Sequence, residues 1–162
     1  MINKNNFWIM NKFTISLIFI LAFSRLIPHP PNFTPVIAVA IMSSYFFRNI
    51  YLSLITLFLA MFLSDIFVGF YQHIIFVYLA LFFINYIFFK FSKKMNYKNL
   101  FVFGFLGSII FFLISNFGVW MLGNLYEKNF YGLITCYVAA IPFFTNTLIS
   151  TIFFIYSAFF ME

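Results

Sequence analysis

The sequence predicts an all-α membrane protein, a bundle of six transmembrane helices with both N- and C-termini cytoplasmic. Three observations predict it. Hydrophobic residues make up 65% of the 162 residues and charged residues only 7%, whereas a soluble domain carries about a quarter charged residues. So few polar side chains cannot cover a surface that faces water. The apolar residues also fall into six runs, and most of them approach the about 20 residues a helix needs to cross the hydrocarbon core. Finally, the basic residues collect in alternate connections.

The spans are read in order as one transmembrane domain, 1–162. The first runs over 13–27 and stops at Pro28-His29-Pro30-Pro31, because proline lacks the N–H donor and blocks helix. Ala22-Phe23-Ser24 has the outline of a signal cleavage site, but large residues and proline follow and the N-region reaches Lys12, so the segment is read as a retained span. The second span, 35–47, is short, which suits a helix that is tilted, re-entrant or packed inside the bundle. The third covers 50–68, the fourth 73–91 and the fifth 100–122. The sixth covers 131–159 and contains Pro142, which predicts a kink or an early start.

Charge placement requires the short second span. With the N-terminus inside, inner segments hold Lys4, Lys12, Arg48, Lys90, Lys93, Lys94 and Lys98, and outer segments hold only Arg25 and Lys128, seven against two. Basic residues mark the cytoplasmic side. Removing the second span would reverse every later loop. The formal net charge of +6 is thus accounted for by orientation, and nucleic acid is not an expected partner. The lone Cys136 forms no intrachain disulfide and belongs to no metal-binding cluster.

Polar residues inside a membrane are costly, so their positions carry information. Following the direction of each span places Arg25, Asp65, Asn116, Trp120, Tyr137 and Asn146 in the outer half, and the loop after the first span adds His29 and Asn32. Asn116, Trp120 and Asn124 are spaced i, i+4, i+8, one stripe on one helix face. The inner half is almost purely apolar apart from Asn85. A polar small molecule needs a few convergent donors and acceptors among aromatic walls, and Trp120, Tyr137, Phe143 and Phe144 can form those walls. The candidate substrate-binding residues are therefore Arg25, His29, Asn32, Asp65, Asn116, Trp120, Tyr137 and Asn146. The same residues have simpler uses: Arg25 can pair with Asp65, Trp120 and Tyr126 can sit in an interfacial belt, and Asn116 and Asn146 can bond neighbouring helices.

No HExxH, GxSxG or phosphate-binding P-loop motif occurs, and no paired carboxylates suit acid–base chemistry. No enzymatic activity, metal or cofactor is expected. A self-sufficient proton-coupled carrier needs midplane carboxylates, and Asp65, near a helix end, is the sole candidate.

Four stretches carry a family resemblance: Arg25-Leu-Ile-Pro-His-Pro-Pro-Asn-Phe-Thr-Pro-Val-Ile-Ala38, Ser64-Asp65, Ser115-Asn-Phe-Gly-Val-Trp120, and Gly132-Leu-Ile-Thr-Cys-Tyr-Val-Ala-Ala-Ile-Pro-Phe-Phe-Thr-Asn146. Together they resemble an uncharacterised family of small bacterial six-helix membrane proteins related to the substrate-binding S components of energy-coupling-factor (ECF) vitamin transporters. The resemblance implies a bacterial inner (plasma) membrane protein that captures a vitamin-like nutrient from the outer face. Its partners would be a membrane coupling subunit and ATPases. S components often carry small residues at four-residue spacing on the first helix for docking; here Ser16, Ala22 and Ser24 do not form that pattern. A structural or assembly subunit of a membrane complex, without its own ligand, is the alternative expectation.

Overall fold

The computed structural model describes residue 16 and residues 18–160. Among them the chain is all-helical, with six helices and no strand. Helix α1 is described over 18–24; its predicted start, together with Lys4 and Lys12, lies outside the described residues. The others are α2 (Val36–Phe47), α3 (Ile50–Val68), α4 (Ile74–Phe91), α5 (Leu100–Leu122) and α6 (Phe130–Phe160). Four of them, α3 to α6, are long and apolar enough to cross a membrane.

The helix ends follow local chemistry. Asn49 caps α3 by accepting a hydrogen bond from the Leu52 N–H at 3.1 Å. Gly69 ends α3 with a φ of 96°, a conformation that costs glycine little. The Lys128 ammonium donates to the carbonyls of Trp120 and Gly123, closing the negative end of α5. Asn129 accepts from the Gly132 N–H at 2.8 Å as α6 begins. The helix then continues through Pro142 for 31 residues.

Helix α2 has 12 residues and nine of them are buried. At 1.5 Å per residue it is about 18 Å long, well short of a hydrocarbon core of about 30 Å. It resolves the three readings of the second span in favour of packing inside the bundle: α2 touches α3, α4, α5 and α6. The core joins all six helices, from Leu21 of α1 through Ile41, Leu57, Leu81 and Leu100 to Ile155 of α6.

Polar bonds hold α2 in this position. The Asn85 amide of α4 donates to the Ala40 carbonyl (2.9 Å), Ser43 Oγ (3.1 Å) and Ser53 Oγ (2.6 Å). Ser44 donates to the Asn85 carbonyl at 3.1 Å. These side chains are all fully buried. The half of the bundle read as inner is therefore less apolar than the sequence reading allowed: serines pass as small helix residues until a neighbouring helix gives them a partner.

Helix α5 packs through small residues on several sides: Gly104 against α6, Gly107 against α2 and Gly118 against α4. The buried residues of α5 include Gly104, Gly107, Ser108, Ser115 and Gly118, and those of α6 include Gly132, Cys136 and Ala140 at four-residue spacing. Small residues let helices approach where lipid removes the hydrophobic drive for association. The outward faces carry large exposed side chains such as Phe67, Phe82, Phe105, Val138 and Phe153, a surface suited to acyl chains.

A methyl group at Gly118 would lie 2.4 Å from Phe76 Cβ, an atom tied to the α4 backbone; at Gly104 it would meet the tip of Ile152 at 2.6 Å, which can rotate away. Gly118→Ala is expected to destabilise the protein by about 1–3 kcal/mol and Gly104→Ala by clearly less. Unfolding of the two variants in detergent measures the order, and the reverse order would show that α4 and α5 are not in this close contact.

Candidate functional site

The shortness of α2 leaves space above its first turn. A cavity of about 400 Å³ opens there, with Val36 and Ile37 among its lining residues. The connection from α1 contributes Arg25, His29, Asn32 and Thr34; the α3–α4 connection contributes Tyr71 and His73; α5 contributes Phe111, Ser115 and Asn116; α6 contributes Phe143 and Thr147. A neighbouring depression of about 330 Å³ shares Asn32, Asn116, Val119 and Phe143 with it and extends toward Tyr126 and Cys136.

Arg25 is the charged anchor of the cavity wall. Its Nη1 lies 2.6 Å from Asp65 Oδ1, with the arginine side chain 12% exposed and the aspartate 0%. The same nitrogen donates to Ser64 Oγ and to the Met61 carbonyl at 3.3 Å. Oδ1 of Asp65 has no partner besides this cation, while Oδ2 accepts from the Tyr78 hydroxyl at 2.7 Å. Tyr78 stacks on Phe58 with ring centres 5.6 Å apart. Burying both charges is costly, and mutual neutralisation with added hydrogen bonds offsets that cost. The pair ties the end of α1 to α3 and α4.

The proline loop is held as a wall. Asn32 takes a left-handed backbone, φ 62°, which asparagine tolerates better than most residues. Asn146 Nδ2 donates to the Pro31 carbonyl at 3.1 Å, and Phe33 meets Phe154 edge-on at 6.1 Å. The loop is thereby fastened to α6. His29 stays exposed, its Nδ1 2.9 Å from the Pro30 carbonyl.

The structure brings four of the eight sequence candidates together at the cavity: Arg25, His29, Asn32 and Asn116. Asp65 stands directly behind Arg25. The other three bond the protein itself. Trp120 Nε1 donates to the Glu127 carbonyl at 2.9 Å, the Tyr137 hydroxyl donates to the Leu113 carbonyl at 2.7 Å, and Asn146 holds Pro31. The predicted stripe also ends early, because α5 stops at Leu122 and Asn124 falls beyond it. Of the expected aromatic walls, Phe143 lines the cavity, whereas Phe144 packs on Phe112 at 5.0 Å.

Thr34, Tyr71, His73, Ser115 and Thr147 line the cavity without having been singled out. Two carried a usable signal: Ser115 precedes Asn116 in the third landmark stretch, and Thr147 lies four residues after Phe143 on the same helix face. Burial pushes the Tyr71 phenol above its ordinary pKa, against the opposing pull of Arg25 and with support from Asp65. Burial pushes His73 below the usual histidine value. Both groups are therefore uncharged at neutral pH. Among the described residues no three His, Cys, Asp or Glu groups gather to hold a metal ion.

The chain belongs to the family of unknown function DUF6580, whose model matches residues 5–161. No curated protein and no solved structure matches it.

Removing one partner of a buried pair leaves an uncompensated charge, which typically costs about 3–5 kcal/mol. Asp65→Leu and Arg25→Met alone are each expected to destabilise the protein on that scale, and the double variant to recover more than half of the loss. Denaturant titration in detergent tests this. A single-variant cost below about 1 kcal/mol would instead mark a solvated surface pair.

Proposed function

We propose that this DUF6580 member is a membrane-embedded substrate-binding subunit for uptake of a small, vitamin-like nutrient, captured from the outer face in the manner of an ECF S component. The observation that carries the reading is the cavity itself. A volume of about 400 Å³ falls in the range of about 300–1,000 Å³ typical of small-molecule sites. Its lining combines a few polar groups with the aromatic rings of Phe111 and Phe143, the composition such sites share.

Orientation supports capture from outside. The cavity lies at the end of α4 that begins with Ile74, and Lys90, Lys93 and Lys94 lie at the opposite end. Lysine-rich ends face the cytoplasm, so the cavity faces out. With α1 and α2 counted as spans, the topology is six-helical with both termini cytoplasmic, in the bacterial inner membrane. The short α2 counts because its neighbours shield it from lipid. The subunit would bind rather than catalyse, and would depend on a membrane coupling subunit and ATPases for energy. The missing small-residue pattern on the first helix speaks against docking to a shared coupling subunit and for a dedicated partner, or none.

Purified protein should carry or accept a small molecule. Mass spectrometry of co-purifying ligands, followed by thermal-shift screening against vitamins and nucleobases, is the direct experiment. Ligand at about 100 times its dissociation constant should add about 2.7 kcal/mol of stability, and Asn116→Leu should reduce that gain. If no molecule stabilises the protein and a membrane partner co-purifies instead, the assembly-subunit alternative replaces this reading.

Topology is separately testable. With Cys136 replaced by alanine, a cysteine at Lys128 should react with an impermeant maleimide on intact cells, and one at Lys94 only after permeabilisation. The opposite pattern would place the cavity toward the cytoplasm.

A further inference from the structure

The Arg25 guanidinium is half used. Its contacts with Asp65, Ser64 and Met61 all run through Nη1. Nε and Nη2 have no hydrogen-bond partner among the described residues, and Arg25 lines the cavity. A guanidinium presents its donors in a planar fork. With one corner spent on α3, the remaining edge, two parallel N–H donors, is left for whatever occupies the cavity. An acceptor oxygen is the matching group.

Charge balance decides what kind of oxygen. Among the described residues Arg25 is the one permanently charged group on the cavity lining, and the fully buried Asp65 already neutralises it. His73 and Tyr71 add no charge at neutral pH, for the reasons given above. The other polar lining groups, Asn32, Thr34, Ser115, Asn116 and Thr147, are neutral donors and acceptors; His29 is exposed at the rim. A carboxylate ligand would share Arg25 with Asp65 and leave one negative charge uncompensated. A cationic ligand would meet the unsatisfied edge of another cation. Each case buries net charge, which is disfavoured. An uncharged carbonyl takes the free donors without disturbing the balance. Phe111 and Phe143 supply apolar surface for a flat ring.

We propose that the cavity takes an uncharged planar molecule, an aromatic or heterocyclic amide in chemical class, whose carbonyl oxygen accepts hydrogen bonds from Nε and Nη2 of Arg25. This rests on the capture reading and narrows it to a ligand class.

Benzamide, benzoate and benzamidinium share one ring and nearly one shape and differ in charge. Their binding to the purified full-length protein, measured by calorimetry or thermal shift at neutral pH, is expected to favour benzamide by about tenfold or more over either ion, a difference of about 1.4 kcal/mol. Arg25→Lys keeps a cation opposite Asp65 but removes the second donor edge. It should unfold near the wild-type temperature and lose most of the benzamide affinity. Benzoate or benzamidinium binding as tightly as benzamide overturns the inference while leaving capture standing. A folded Arg25→Lys variant with undiminished benzamide affinity overturns the role of Arg25. Failure of all three probes overturns the ligand class, and capture is then decided by the co-purifying molecule. The three-probe comparison on the wild-type protein needs no variant, so it stands even if Arg25→Lys does not fold.

Discussion

The length of α2 is the constraint on which the rest of the structure depends. Twelve residues give about 18 Å of helix in a layer of about 30 Å. In hydrocarbon an unsatisfied backbone group costs several kcal/mol, so a helix this short can persist only where its ends are shielded by protein. The bundle surrounds the helix with protein. Midway along α2 Asn85 gathers Ser43, Ser53 and the Ala40 carbonyl, and at its C-terminal end Arg48 makes a left-handed turn into α3. At its N-terminal end the proline loop, pinned by Asn146, leads into the first turn. What remains above Val36 and Ile37 is the cavity. A full-length second helix would fill it.

Two polar devices hold the bundle, and they do different things. The Asn85 cluster is neutral and closed to solvent, and it fixes the depth at which α2 sits between α3 and α4. The Arg25–Asp65 pair is ionic and lies at the cavity wall, where it fixes the end of α1 against α3. A buried pair of this kind adds little stability compared with apolar packing. Its position is the more informative property, because the guanidinium is held through one nitrogen among the described residues and Arg25 lines the cavity.

Much of the fold was legible in the sequence because run length and hydropathy are the physics of a membrane helix. Helices α3 and α5 begin and end at the residues read for them, α2 and α4 begin one residue later, and α6 extends one residue further at each end. The second apolar run was marginal in length and was retained because of charge: without a span there, Lys90 to Lys98 would change sides. The site was legible to about half. Depth along a span follows from residue number, so the meeting of Arg25, Asn32 and Asn116 at one end of the bundle could be read. Rotation about the helix axis also depends on which neighbours pack where. Trp120 and Tyr137 share the depth of the cavity but turn toward other carbonyls. The serines of α2 and α3 were invisible for the same reason, since a serine declares a role only when a second helix supplies its partner.

The cavity also lies along a seam. Helices α1 to α4 are joined by Arg25–Asp65, Tyr78–Asp65 and the Asn85 cluster. Helices α5 and α6 are joined by Tyr137 to Leu113 and by Cys136 to the Asn116 carbonyl at 3.5 Å. Across the seam the packing is through small and aromatic side chains, such as Gly107 against Ile41, Phe76 against Phe117 and Phe88 against Phe103. Asn146 and Ser150 add hydrogen bonds to the proline loop. These apolar contacts are close: Gly118 of α5 is seated directly against Phe76 of α4. The walls on the two sides, Arg25, Tyr71 and His73 on one and Phe111, Asn116 and Phe143 on the other, thus stand on helices locked by packing as much as by hydrogen bonds. The proline loop, continuous with the Arg25 end of α1 and bonded to Asn146 and Ser150 of α6, adds a polar link between the two sides.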